Sequence, residues 1–221
     1  MTFSLFSCKE KAVVETSANG NTTLPPAAPA TGQEYFTDAT MAKITWIGSK
    51  PDGKHFGTIN VSDGTLYVND GRLTAGNVTI DMNSILVADL EGEDKVSLEA
   101  HLKGTESEGA EDFFNVTKYP TGKFEVVEIM GASDQPNSNA TVTGNLTLLN
   151  KTKTISFPAL ISIGPDNISV NTIPFNINRT DYGITYKSKN IFKDLGDKFL
   201  DDDIVLQFSL SAMTMPSAGK K

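Results

Sequence analysis

Glu111-Asp112-Phe113-Phe114-Asn115-Val116-Thr117-Lys118-Tyr119-Pro120-Thr121-Gly122-Lys123-Phe124-Glu125 sets an acidic pair and two adjacent aromatics ahead of a Tyr-Pro turn. Proline fixes its own φ and pushes Tyr119 into an extended conformation, while Gly122 can take a positive φ. From Lys123 to Met130 apolar residues then alternate with polar ones, as in a half-buried strand. The stretch therefore reads as an aromatic-bearing turn feeding a strand. It holds no catalytic chemistry. Its hydrophobic bulk points to a β-barrel that binds a small molecule.

Strand signals recur on both sides. Lys43–Gly48, Lys54–Val61, Gly64–Val68 and Asn77–Met82 precede the aromatic turn, and Asn69-Asp70-Gly71 marks a hairpin because Asp-Gly tolerates positive φ. Ala140–Leu149, Thr152–Ile163, Ile168–Ile177 and Ile204–Ser211 follow it. A short helix is predicted near Glu93–Leu102, and an exposed acidic loop at Gly104–Gly109. Lys189–Asp203 is polar and Asp-rich, with room for one helical turn. The pattern predicts an all-β chain of about eight antiparallel strands with one or two short helices, arranged as a sandwich or a barrel, and the barrel is the expected fold. Such a barrel can enclose one small ligand and leaves no open sheet edge.

Composition limits the function. The 221 residues suit one all-β domain, and a net charge of −8 with a pI near 4.8 argues against nucleic-acid partners, whose phosphates need a basic surface. No run of about 18 apolar residues offers a membrane-spanning helix.

Leu5-Phe6-Ser7-Cys8 resembles a bacterial lipobox, in which the cysteine is acylated. A tether poor in apolar residues follows, including Leu24-Pro25-Pro26-Ala27-Ala28-Pro29-Ala30. The expected organisation is a signal remnant at 1–8, a disordered linker at 9–33, a barrel at 34–213 and a disordered tail at 214–221. Acyl chains on Cys8 would anchor the protein to a membrane without a spanning helix. Lys9-Glu10-Lys11 resembles the charged signals that send some lipoproteins to the cell surface. The expected location is the bacterial cell envelope, lipid-anchored, periplasmic or on the cell surface. A homodimer stays open.

Catalytic and metal motifs are missing from the sequence. His55 and His101 lack the spacing and helper ligands of a zinc site, so hydrogen-bonded positions at a barrel mouth or loop suit them better. Gly-x-Ser-x-Gly, phosphate-loop and calcium-loop patterns do not occur, and Asp201-Asp202-Asp203 reads as a solvated acidic turn. No enzyme activity, metal or cofactor is expected. What remains is an apolar set: Trp46, Phe56, Ile80, Phe113, Phe114, Phe124, Leu146, Leu148, Phe157 and Phe175. Filled core and ligand cavity draw on the same residue types.

Five ordered motifs carry a family resemblance. Tyr35-Phe36-Thr37-Asp38 before Ile44-Thr45-Trp46 resembles the opening of the YceI-like family, and Val78-Thr79-Ile80-Asp81-Met82-Asn83-Ser84-Ile85 resembles its Val-x-Ile-Asp-x-x-Ser-Ile strand. His101-Leu102 with Asp112-Phe113-Phe114 and Lys118-Tyr119-Pro120 is similar to its Phe-Phe…Tyr-Pro block. Thr143–Leu148 resembles its Gly-x-Leu-Thr strand, and Asn178–Gly183 its Arg-x-Asp-Phe-Gly turn.

Two departures stand out. Leu148-Leu149-Asn150-Lys151 replaces the family's His-Gly turn, and the Lys103–Glu111 loop is long.

The resemblance implies a polyisoprenoid-binding, lipocalin-like barrel whose apolar set lines a cavity for an isoprenoid-type or other long amphiphilic lipid. It would bind, transport or store that lipid without catalysis. His101, Arg179 and Asp181 would sit at the polar mouth, with Arg179 and Asp181 paired across a turn. The alternative is a structural or interaction lipoprotein with a filled barrel.

Overall fold

Asp70 and Gly71, at φ 49° and 70°, close the longest hairpin of the chain, between β3 (Gly53–Asn69) and β4 (Arg72–Val87). The computed structural model describes residues 23–106, 108–131 and 134–215. Before the hairpin come β1 (Gln33–Thr37) and β2 (Lys43–Lys50), and after it helix α1 (Gly92–Lys103). The chain continues through β5 (Thr121–Gly131), β6 (Ala140–Leu148), β7 (Lys151–Ile163), β8 (Asn167–Thr172) and β9 (Phe175–Asn178). A 3-10 turn (Arg179–Tyr182) and β10 (Asp203–Met213) complete it.

All the strand pairings are antiparallel and they close on themselves. β2, β3, β4, β5, β6, β7 and β8 pair in sequence, and β10 joins β8 back to β2. β1 pairs with the same neighbours as β2, namely β3 and β10, so the two share one position in the ring. β8 and β9 likewise run one after the other along β10. The ring thus has eight positions filled by ten strands. This is the expected barrel, and closure removes its edges.

Ile168–Ile177, read from the sequence as one strand, is broken at Ile173-Pro174. Proline has no N–H for the ladder. The Leu24–Ala30 stretch also lies against the barrel: Ala28 N–H donates to Val126 O at 2.8 Å, and Asn145 Nδ2 to Pro25 O at 2.8 Å. Alternation along each strand sends one face inward. β10 shows it well, with Leu206, Phe208, Leu210 and Ala212 buried and the residues between them more exposed.

α1 and the segment after it cover one end of the barrel. The helix has no buried residue, and Glu91 caps it without a side-chain hydrogen bond. Leu98 and Leu102 nevertheless pack on the core, together with Phe114. The opposite half is filled by aromatics. Phe157 stacks on Phe175 at 4.5 Å and meets Phe124 and Phe208 at 5.4 Å each.

Candidate ligand cavity

Beneath α1 the barrel is hollow. A cavity of about 160 Å³ lies between the mouth ends of β2, β4, β6 and β10, roofed by Leu98, Leu102, Phe113 and Phe114. A second void of about 30 Å³ lies deeper, toward Phe124 and Phe157. Ile44, Ile80 and Phe208 border both spaces and separate them. One half of the barrel is therefore cavity and the other packed core.

The sequence-selected residues divide along that line. Trp46, Ile80, Phe113, Phe114, Leu146 and Leu148 border the main cavity. Phe124 and Phe157 border only the deeper void, within the aromatic block. Phe175 stacks on that block half-buried.

Phe56 is a correction. It is 38% exposed and borders neither space, because Gly57, Ile59 and Val61 set the inward phase of β3. A strand's alternation admits one phase only. The residue before Phe56, His55, is the one that reaches the cavity.

Arg179 and His55 are the only basic side chains on the wall, among the described residues, and Arg179 is spent on holding the mouth together. Its Nε donates to Asp201 O at 2.9 Å and its Nη1 to Ile184 O at 3.0 Å. Nη2 donates to Leu200 O and to Asp202 Oδ1, both at 3.1 Å. Burial pulls its pKa down, against the carboxylates of Asp202 and Asp201.

Two expectations are corrected here. The ion-pair partner of Arg179 is Asp202, while Asp181 pairs with Lys153 at 3.5 Å on the surface. Asp181 therefore does not face the cavity. Asp202 is no solvated turn residue: it is buried and also accepts from Ser188 Oγ at 2.9 Å and Asn190 Nδ2 at 2.6 Å.

Both histidines pair with aspartates at the covered end. His55 Nδ1 lies 2.8 Å from Asp89 Oδ2, just before α1, and Phe56 N–H donates to the other Asp89 oxygen at 2.9 Å. Burial pushes the Asp89 carboxyl up, but these contacts outweigh it and hold its pKa below the usual range. His101 Nε2 lies 3.0 Å from Asp112 Oδ2 and packs edge-on against Phe113 and Tyr186, at 5.1 Å from each. It thus braces the aromatic turn that roofs the cavity. No cluster of three potential metal ligands exists among the described residues.

Sequence reasoning missed Phe208 and Tyr182 on the wall. Phe208 was legible, since Ile204, Leu206, Phe208 and Leu210 alternate cleanly. Tyr182 sits in a 3-10 turn, where no strand or helix period applies. Cys8 lies outside the described residues.

A closed antiparallel barrel with an apolar interior space under a helical cover defines the class of protein. The sequence profile of the YceI-like domain matches residues 35–212, and the chain belongs to that family. No match is found among curated proteins. Two solved structures share the fold. BcnA of Burkholderia cenocepacia is 18% identical, with a TM-score of 0.56 over 80% of this chain and 99% of its own. A polyisoprenoid binding domain from Saccharophagus degradans, implicated in plant cell wall breakdown, is 14% identical. Its TM-score is 0.55 over 82% of this chain and 98% of that one.

Proposed function

We propose that this protein binds the chain of an isoprenoid-type or similar long amphiphilic lipid inside its barrel. The observation that carries this reading is the enclosed space walled by side chains such as Ile80, Met82, Leu146 and Leu148, with its one guanidinium already satisfied. An apolar chain leaving water gains roughly 25 cal/mol per Å² buried, so a dry cavity can hold it with few polar contacts. An apolar cavity of roughly 150 Å³ stays dry and admits a benzene-sized guest. A longer chain therefore has to displace the Phe113–Phe114 roof or the block at Phe208. The polyisoprenoid-binding relative supports the same ligand class.

The anchor belongs to the same proposal. Acylation of Cys8 would hold the barrel at a membrane, in the periplasm or at the cell surface, to carry or store lipid there. Cys8→Ser should release the protein into the soluble fraction.

The binding reading is tested by extracting the natively purified protein with organic solvent for mass spectrometry. A lipid should be recovered, and Leu98→Trp, which adds bulk to the cavity roof, should reduce its yield. An empty extract would favour a structural barrel that binds other envelope proteins by its loops.

A further inference from the structure

Ile191 and Phe192 stand side by side in the loop between the 3-10 turn and β10, 49% and 47% exposed. Lone apolar residues on a surface are ordinary, whereas two large neighbours held out on an ordered turn call for an explanation. The turn is built. Both N–H groups donate to Ser188 O, at 3.2 and 2.8 Å, and Leu200 N–H closes the loop's base on Lys187 O at 2.9 Å. Asp202 fixes Ser188 and Asn190 in turn.

The charge around this tip departs from the rest of the chain. The protein carries a net −8, yet residues 182–193 contain Lys187, Lys189 and Lys193 and no Asp or Glu. Asp194 and Asp197 follow on the return limb, partly offset by Lys198. Lys187 lies over the Tyr186 ring at 4.9 Å and Lys189 over Phe199 at 4.3 Å. The one ion pair here, Lys189 with Asp201 at 3.9 Å, is half-exposed and correspondingly weak.

The loop belongs to the cavity mouth. Leu200 and Asp201 border the cavity, Asp201 N–H donates to Ser49 O at 2.9 Å, and the Tyr186 ring lies 5.4 Å from Phe113 of the roof. Just beyond Ser49 the outer wall is apolar too. Ile47 is the cross-strand partner of both Val205 and the outward-facing Phe56.

We propose that the mouth end of the barrel docks on a bilayer surface containing anionic lipid, with Ile191 and Phe192 entering the interface and the three lysines meeting the headgroups. Apolar side chains flanked by lysines suit a membrane interface, where the former reach the acyl boundary and the latter the anionic surface. Val96 of α1 supplies the contrast. It is 66% exposed at the same end, but Glu93 and Asp94 precede it in the first turn of the helix and would be repelled by the same surface. Docking by the loop is separate from acylation of Cys8 and holds without it. Its bearing on lipid entry rests on the binding reading, while the docking itself does not.

The test uses the full-length Cys8→Ser protein, sedimented with vesicles of phosphatidylcholine alone or mixed with phosphatidylglycerol. The mixed vesicles should carry the protein down, less so as salt rises. Ile191→Ser combined with Phe192→Ser should lower that partition on the order of 10-fold or more, at an unchanged Tm because both side chains are exposed. Lys189→Gln combined with Lys193→Gln should lower it by a similar factor. Val96→Ser should leave it unchanged. Phe192→Trp should give emission that shifts to the blue on the mixed vesicles, since Trp46 is already buried and the new indole reports the loop. If the double serine variant does not fold, this emission decides.

No sedimentation with mixed vesicles would overturn the inference, as would equal binding to phosphatidylcholine alone. Binding that survives the loop variants, or falls equally with Val96→Ser, would overturn it too. An empty solvent extract, which counts against the lipid-binding reading, leaves these outcomes as they stand.

Discussion

Leu149 and Asn150 turn the chain between β6 and β7 with φ of 50° and 56°. Two consecutive residues with positive φ fit the type I′ turn, whose second central position favours glycine. The sequence had shown the loss of a His-Gly turn here, yet the hairpin keeps its two-residue loop. Asn150→Gly should therefore stabilise the protein by about 0.5 to 1 kcal/mol, read as a higher urea midpoint at unchanged slope. An unchanged or lower midpoint would show that Asn150 bears no backbone strain. Arg179 carries the opposite expectation. Arg179→Met leaves Asp202 buried without its cation and strands three carbonyls, so a loss of about 3 kcal/mol is expected by urea unfolding. A loss under about 0.5 kcal/mol would mean that the pair behaves like an exposed one. Sequence spacing suggested Asp181 as the partner because it is near in the chain. Asp202 is near only after the mouth loop folds back, and a single sequence carries no sign of that.

At the scale of elements, strands were legible because period-2 alternation is set by the core itself. Their phase was harder. Phe56 belongs to the apolar set by residue type, whereas Ile59 and Val61 jointly dictate the register that turns it outward. Pro174 carried the signal for the β8–β9 break. α1 was recognisable as a helix by position rather than by pattern: Val96 is 66% exposed, and only Leu98 and Leu102 face the core. Its attachment to the barrel is correspondingly local. Glu99 Oε1 accepts from Val87 N–H at 2.9 Å, and the His55–Asp89 and His101–Asp112 pairs hold either end. Segments with few buried contacts open at low free energy. Hydrogen exchange should thus proceed faster at α1 amides than at the paired amides of β3 and β4, and Leu102→Ala should widen that gap. Equal protection of helix and hairpin would show that α1 opens only with global unfolding, which leaves no separate route for a lipid to enter.

For the molecule as a whole, closure was legible from strand count and turn spacing, but the division into a hollow half and a filled half was not. Phenylalanine serves either role, and the outcome depends on which rings converge in space. The two ends of the pH scale probe the same mouth region with opposite signs. Asp89 has a lowered folded pKa, so its stabilisation is complete above the unfolded value of about 3.9 and is lost as pH falls through the folded value. Asp89→Asn should flatten the acid limb of a Tm–pH curve. Tyr182 has a raised folded pKa, caused first by burial and then by Asp181. Below about pH 10 both states keep the proton, so the full stability is present. Above that pH the unfolded chain ionises while the folded one does not, and stability falls as pH rises toward the folded value. Tyr182→Phe removes this proton and should lessen the alkaline decline without lowering the Tm at neutral pH, because the hydroxyl it deletes has no partner among the described residues. A neutral-pH Tm several degrees lower would mean that the hydroxyl is already satisfied within the fold.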